Sequence, residues 1–269
     1  MPGQPHAMDA LIHKIMDPMR LQRQREPMPP PEAGAENTVV FIHSVLTLDE
    51  RQRERERILP PGAPEPVGGP YKMLRTQVLR RLSQIDANSL AVLSAGKGEG
   101  KTLTAINLAI AVAADARHTA LLVDLDLRNP SIARRLGYEP VVGIEDCLRG
   151  RRPVYEAMAR IAGYERLMVL PARGPVEQSS ELLASQRTGE LIHELRTRYP
   201  NRILIFDLPP VLLADDALAF SRHVEAGLLI VAECASERES IKRSLTLLDK
   251  LPIVGTVLNR SRERLEGYY

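Results

Sequence analysis

The stretch Ser94-Ala95-Gly96-Lys97-Gly98-Glu99-Gly100-Lys101-Thr102 limits what this chain can fold into more than any other. An apolar run over residues 90–93 precedes it and a helical pattern over residues 102–114 follows. Strand, glycine-rich loop and helix, in that order, form the context of a phosphate-binding loop. Glycines let successive backbone N–H groups converge on phosphate oxygens without Cβ clashes. The start of the following helix adds partial positive charge. Lys101 is placed to reach β- and γ-phosphates, and the Thr102 hydroxyl to ligate magnesium. Ala95 stands where the first glycine of G-x-x-x-x-G-K-[ST] belongs; it is small enough for binding to survive. The expected nucleotide contacts are Gly96, Lys97, Gly98, Glu99, Gly100, Lys101, Thr102 and Leu103, with ATP and Mg2+ as cofactors.

Two further strand ends carry acid. Leu121-Leu122-Val123-Asp124-Leu125-Asp126-Leu127-Arg128 ends one apolar run, and Leu204-Ile205-Phe206-Asp207-Leu208-Pro209-Pro210 ends another. Aspartates at strand ends beside a phosphate loop can hold magnesium, directly or through water. Alternate strand residues face one way, so Asp124 and Asp126 are expected to approach the triphosphate together. One would help hold the metal and the other take a proton from an acceptor hydroxyl; spacing alone leaves both assignments open. The catalytic set is thus Lys101, Asp124, Asp126 and Asp207, with Thr102, Asp124 and Asp207 at the metal.

The rest of the chain supports one fold class. Nearly continuous apolar runs fall at residues 90–94, 120–123, 167–170, 202–206, 228–231 and 253–258, as strands buried on both faces do. Helical patterns at 102–114, 186–199 and 237–251 alternate with them. The expectation is an α/β, three-layer fold with a mostly parallel, doubly wound sheet, whose ligands bind at the carboxyl ends of the strands.

Composition shifts near Val67. Prolines cluster before it, at Pro27, Pro29, Pro30, Pro31, Pro60, Pro61, Pro64 and Pro66, and such stretches are extended and poorly packed. The expected division is a Pro-rich, partly flexible region over 1–66 and the P-loop domain over 67–269. Inside the first part, Met8, Leu11, Ile12, Ile15, Met16 and Met19 recur at helical spacing, as a docking helix or a local cap would. Residues 51–57 read as a solvated, charge-laced helix.

Bulk properties exclude other classes. The 269 residues carry a formal net charge of +2, which gives no electrostatic case for nucleic acid. Two cysteines, Cys147 and Cys234, rule out a disulfide framework. His118 and His193 show no metal-ligand spacing. No apolar run approaches the roughly 20 residues that span a bilayer, and the N-terminus lacks a signal-peptide core, so the chain reads as cytoplasmic.

At its motifs the sequence resembles the bacterial tyrosine kinases of capsule and exopolysaccharide export, within the wider ParA/MinD-like ATPases. Gly98-Glu99-Gly100-Lys101-Thr102, Val123-Asp124-Leu125-Asp126-Leu127-Arg128 and Ile205-Phe206-Asp207-Leu208-Pro209-Pro210 carry the likeness. Tyr71-Lys72-Met73-Leu74-Arg75-Thr76, Ala105-Ile106-Asn107-Leu108-Ala109, Ser180-Glu181-Leu182-Leu183 and Val257-Leu258-Asn259 add to it. The N-terminal helix and Pro-rich segment look most like autokinases of exosortase-linked systems. The resemblance implies transfer of the γ-phosphoryl of ATP to C-terminal tyrosines, here Tyr268 and Tyr269, in a homo-oligomer. It implies Asn259 near the adenine, a membrane-spanning activator of the chain-length-determinant type, and a position at the inner face of the membrane through that partner. A cognate tyrosine phosphatase is compatible with it. Departures are visible: the signature lysine of MinD-like proteins falls at Gly96, with Lys97 one residue out of register. The family's ring motif Glu-x-x-Arg-x-x-Arg reads Gly69, Lys72 and Arg75. The alternatives are a ParA/MinD-like nucleotide switch and a non-catalytic nucleotide-binding scaffold.

Overall fold

The structure, a computed structural model, describes residues 44–199 and 201–262. Their strands are β1 (Ser44–Leu46), β2 (Ser89–Ser94), β3 (Thr119–Asp124), β4 (Ala159–Ile161), β5 (Leu167–Leu170), β6 (Arg202–Asp207), β7 (Ala226–Ala232) and β8 (Ile253–Asn259). The helices are α1 (Glu50–Arg55), α2 (Glu65–Gln84), α3 (Lys101–Ala113), α4 (Ile132–Arg135), α5 (Ile144–Leu148), α6 (Val154–Ala157), α7 (Ser179–Ala184), α8 (Gln186–Thr197), α9 (Asp216–Ser221) and α10 (Arg238–Leu247).

The strands form one sheet in the order β1-β4-β5-β3-β6-β2-β7-β8. From β5 to β8 every pairing is parallel. The β4 strand runs antiparallel to β5, and β1 follows β4 in parallel. Parallel neighbours need crossovers that cover the sheet's faces, and two apolar clusters result. One holds Leu82 of α2 and Ile106, Leu108 and Val112 of α3 against Leu90, Leu122 and Ile205. The other sets Leu183, Ile192, Leu195 and Phe220 against Leu93, Leu121 and Phe206. Phe206 and Phe220 meet edge to face at 4.9 Å. The three-layer, mostly parallel fold expected from the apolar runs is the one observed.

The β2 strand is paired along both edges by β6 and β7 and packs into an apolar cluster on each face, so all six of its residues are buried. The β8 strand departs from the expectation of two covered faces. It is the last in the order, and its exposure alternates, with Leu258 59% exposed. An edge strand keeps one side in solvent.

The described fold also starts earlier than the composition shift at Val67. The β1 strand adds to the sheet, and Ile58 and Leu59 are buried in the same cluster as α3. Asn107, 1% exposed, holds this strap through both ends of its amide. Its Oδ1 accepts the Leu59 N–H at 2.9 Å, and its Nδ2 donates to the Arg57 carbonyl at 3.0 Å. The Tyr164 hydroxyl donates to the Leu59 carbonyl at 2.7 Å, and Arg135 pairs with Glu56 at 2.6 Å. Residues 44–66 therefore pack with the domain. The solvated helix expected over 51–57 is α1, which buries none of its residues. The helical spacing at Met8–Met19 lies outside the described residues.

Candidate nucleotide site

The phosphate loop leaves the buried end of β2 and turns into α3. Gly98 and Gly100 take left-handed backbone conformations, with φ of 76° and 93°, which side chains disfavour. Gly100 is also closed sterically, since a Cβ there would run into the Asn259 amide. It is the N-cap of α3, and no side chain caps that end, so the first N–H groups of the helix stay available for an anion. The outer wall of the loop is supported by neighbours: Val211 N–H donates to the Ser94 carbonyl at 2.9 Å, and Ser94 Oγ donates to the Gly96 carbonyl at 3.0 Å.

Two carboxylates meet Lys101 and Thr102, and a third lies beside them. Lys101 Nζ lies 2.6 Å from Asp207 Oδ1 and 3.6 Å from Asp126 Oδ2. The Thr102 hydroxyl donates to Asp207 Oδ2 at 2.6 Å. Asp124 and Asp207 are direct partners across the β3–β6 ladder, so the parallel register brings two motifs to one spot. Asp124 is fully buried; its Oδ2 accepts the Ser131 and Ile132 N–H groups at 3.0 and 2.9 Å, while its Oδ1 has no partner. Burial, reinforced by the neighbouring Asp207 charge, pushes the Asp124 carboxyl up to about 8. Burial also raises Asp126, against the opposing pull of Lys101. Asp126 lies past the end of β3, and its Oδ1 accepts the Asn129 N–H at 3.2 Å.

The residues fit a magnesium–triphosphate pair. An unpartnered buried carboxylate oxygen, a neighbouring carboxylate bound to a hydroxyl and a lysine supply the required donors and charge. Among the described residues no cluster of three His, Cys, Asp or Glu side chains forms a ready metal cage.

Most of the expected site residues converge here: Gly96, Gly98, Glu99, Gly100, Lys101, Thr102, Asp124, Asp126, Asp207 and Asn259. Asn259 Nδ2 donates to the Glu99 carbonyl at 2.8 Å, which joins the end of β8 to the loop. Lys97 is exposed at the loop tip and Leu103 is half-buried in the first turn of α3. Tyr268 and Tyr269 lie outside the described residues. Sequence reasoning passed over three contributors. Ser236 donates to Glu99 Oε1 at 2.5 Å. Asp216, fully buried, takes Arg128 at 2.7 Å and the Ser179 hydroxyl. The only signals were Asp215-Asp216 shortly after the third motif and a serine beside the Ser180-Glu181-Leu182-Leu183 stretch.

A glycine cradle at a helix start, a lysine, a hydroxyl and strand-end aspartates together define a P-loop nucleoside-triphosphate-binding protein. Known proteins narrow the class. The chain is 31% identical over 200 residues to the tyrosine-protein kinase wzc of Salmonella typhi, covering 73% of this chain and 27% of that protein. It is 29% identical over 205 residues to the tyrosine-protein kinase YwqD of Bacillus subtilis, covering 74% of this chain and 84% of that one. Among solved structures, the VpsO kinase domain superposes with a TM-score of 0.66 at 26% identity, covering 79% of this chain and 98% of that domain. The septum site-determining protein MinD of Pyrococcus horikoshii, complexed with Mg-ADP, shares the fold at a TM-score of 0.53 and 24% identity, covering 65% and 72% of the two chains. No family model matches. Over about three quarters of its length the chain is similar to bacterial tyrosine kinases, and it spans about a quarter of the length of the wzc relatives. Among the described residues no helix is long and apolar enough to cross a membrane.

Proposed function

We propose that the chain is an ATP- and magnesium-dependent protein-tyrosine kinase. It transfers the γ-phosphoryl group to tyrosine hydroxyls, with Tyr268 and Tyr269 of a neighbouring copy as acceptors. The observation that carries this reading is the meeting of Lys101, Thr102, Asp124, Asp126 and Asp207 at the mouth of a glycine cradle. The names of the relatives support the tyrosine specificity.

The loop amides and Lys101 hold the β- and γ-phosphates, and Lys101 exchanges its contact with Asp207 for phosphate oxygens. Thr102, Asp207 and Asp124 would hold magnesium, which would neutralise charge on the transferring group. Asp126 borders the opening, whereas Asp124 is sealed and tied to two amides, so Asp126 takes the base role. It accepts the tyrosine proton as the phenolic oxygen bonds to the γ-phosphorus and the bond from that phosphorus to the bridging oxygen breaks. ADP leaves with the electron pair. Asn259 borders the base end. By its relatives' role the chain acts in exopolysaccharide export, at the inner face of the membrane beside a membrane-spanning activator, as a homo-oligomer, with a phosphatase to reset it.

Incubation with ATP and magnesium, followed by mass spectrometry of the final peptide, tests the proposal. Phosphate is expected on Tyr268 or Tyr269, and on neither in Lys101→Met. Phosphate release without tyrosine labelling would replace the kinase reading with that of a nucleotide switch.

A further inference from the structure

The phosphate loop is fastened from beneath by a side chain whose position is not explained by phosphate binding. Glu99 is 5% exposed, and its carboxylate turns under the loop, where Oε1 lies 3.6 Å from a Cβ position on Gly96. Oε1 accepts the Ser236 hydroxyl at 2.5 Å, and Oε2 has no partner. A buried carboxylate so sparsely bonded works against folding on its own account. Ser236 in turn accepts the Ala232 N–H at 2.9 Å and donates its own N–H to the Ala232 carbonyl at 3.0 Å. This fixes the turn between β7 and α10. The next residue of that turn, Glu233, donates its N–H to the Asn259 carbonyl at 2.9 Å, and its Oε2 accepts the Arg262 N–H at 2.6 Å. The Asn259 amide returns to the Glu99 carbonyl at 2.8 Å. The circuit closes on itself, from loop to turn to the end of β8 and back.

We infer that Glu99 and Ser236 are a positioning pair: through their mutual hydrogen bond they lock the phosphate loop to the β7–α10 turn and so to residues 259–262 at the end of β8. The inference rests on the nucleotide reading of the loop and adds a second function to it. The shape of the cradle and the position of residues 259–262 are set by one hydrogen-bonded circuit. Neither residue reaches the reacting atoms. The Glu99 carboxylate is engaged by Ser236, and Ser236 acts through Glu99.

The full chain carrying Ser236→Ala tests this, since Ser236 is half-buried and its loss leaves the core intact. Calorimetric titration with ADP and magnesium should show about tenfold weaker binding, the scale of losing one hydrogen bond to a charged acceptor. The KM for ATP should rise to match, with kcat at saturating ATP on an added tyrosine peptide within about twofold of wild type. Amide hydrogen exchange should quicken both at residues 96–100 and at 259–262. Ser236→Thr, which keeps the hydroxyl, should restore affinity and protection. Unchanged affinity, or faster exchange confined to residues 232–237, would overturn the pair. Absence of nucleotide binding in wild type would instead overturn the reading of the loop, so the two failures are separable.

Discussion

Asn107→Ala isolates the strap that ties residues 44–59 to the domain. The side chain is 1% exposed, and its two hydrogen bonds end on the Leu59 N–H and the Arg57 carbonyl. Removing it leaves two backbone groups without partners in a site that water does not reach freely. Each such group costs about 1–3 kcal/mol; relief from desolvating the amide itself offsets part of that, so the net loss is about 3 kcal/mol. In a domain of this size one kcal/mol moves the melting midpoint by about 2–4 °C, which places the expected fall at roughly 6–12 °C. Urea denaturation followed by far-UV circular dichroism should show the loss of stability, and hydrogen exchange should show faster exchange at residues 44–59. A change below about 1 kcal/mol, with residues 44–59 still protected, would refute the claim that this amide holds the strap.

Gly100→Ala places a Cβ at φ 93° against the Asn259 amide; the left-handed backbone alone costs about 1–2 kcal/mol, and displacing Asn259 should weaken ADP–magnesium binding at least tenfold by calorimetry. The Asp124 carboxyl, raised to about 8 by burial and by Asp207, binds its proton more tightly folded than unfolded. Its contribution to stability is therefore complete below the unfolded pKa of 3.8 and is lost as pH rises through about 8. Without nucleotide, the melting midpoint should decline across that window, and Asp124→Asn should flatten the decline in a pH series of thermal scans. Asp126→Asn should lower kcat for tyrosine labelling by about 100-fold or more, the reach of general-base catalysis, with ADP affinity nearly unchanged; equal losses in both would move the base role elsewhere.

The central strands were legible because a parallel sheet covered on both faces writes itself as unbroken apolar runs. The observed β5 spans the expected residues, and β2, β3, β6, β7 and β8 extend their runs by one to three residues. Two strands of three residues each, β1 and β4, left no such run. The strap was hidden by its own composition. Pro60, Pro61, Pro64 and Pro66 read as a linker, whereas Ile58, Leu59 and one distant asparagine hold it down. The site divides in the same way. Lys101, Thr102, Asp124 and Asp207 lie in motifs whose spacing encodes strand–loop–helix order, so parallel register brings them together. Ser236 meets Glu99 across 137 positions, and Ser179 meets Asp216 across 37, with no periodicity to announce either. A lone polar residue in a turn becomes informative only when its partner is known.

The attachment of the strap has a consequence for how the polypeptide is made. Leu59 waits for Asn107, 48 positions further along, and for Tyr164, 105 positions further along. At ribosomal rates of about 5–20 residues per second, the charge-free stretch Ser44-Val45-Leu46-Thr47-Leu48 spends several seconds outside the exit tunnel before its docking surface exists. The glutamates and arginines of α1, which follow it directly and stay in water, are placed to keep that nascent segment soluble until the sheet is ready to receive it.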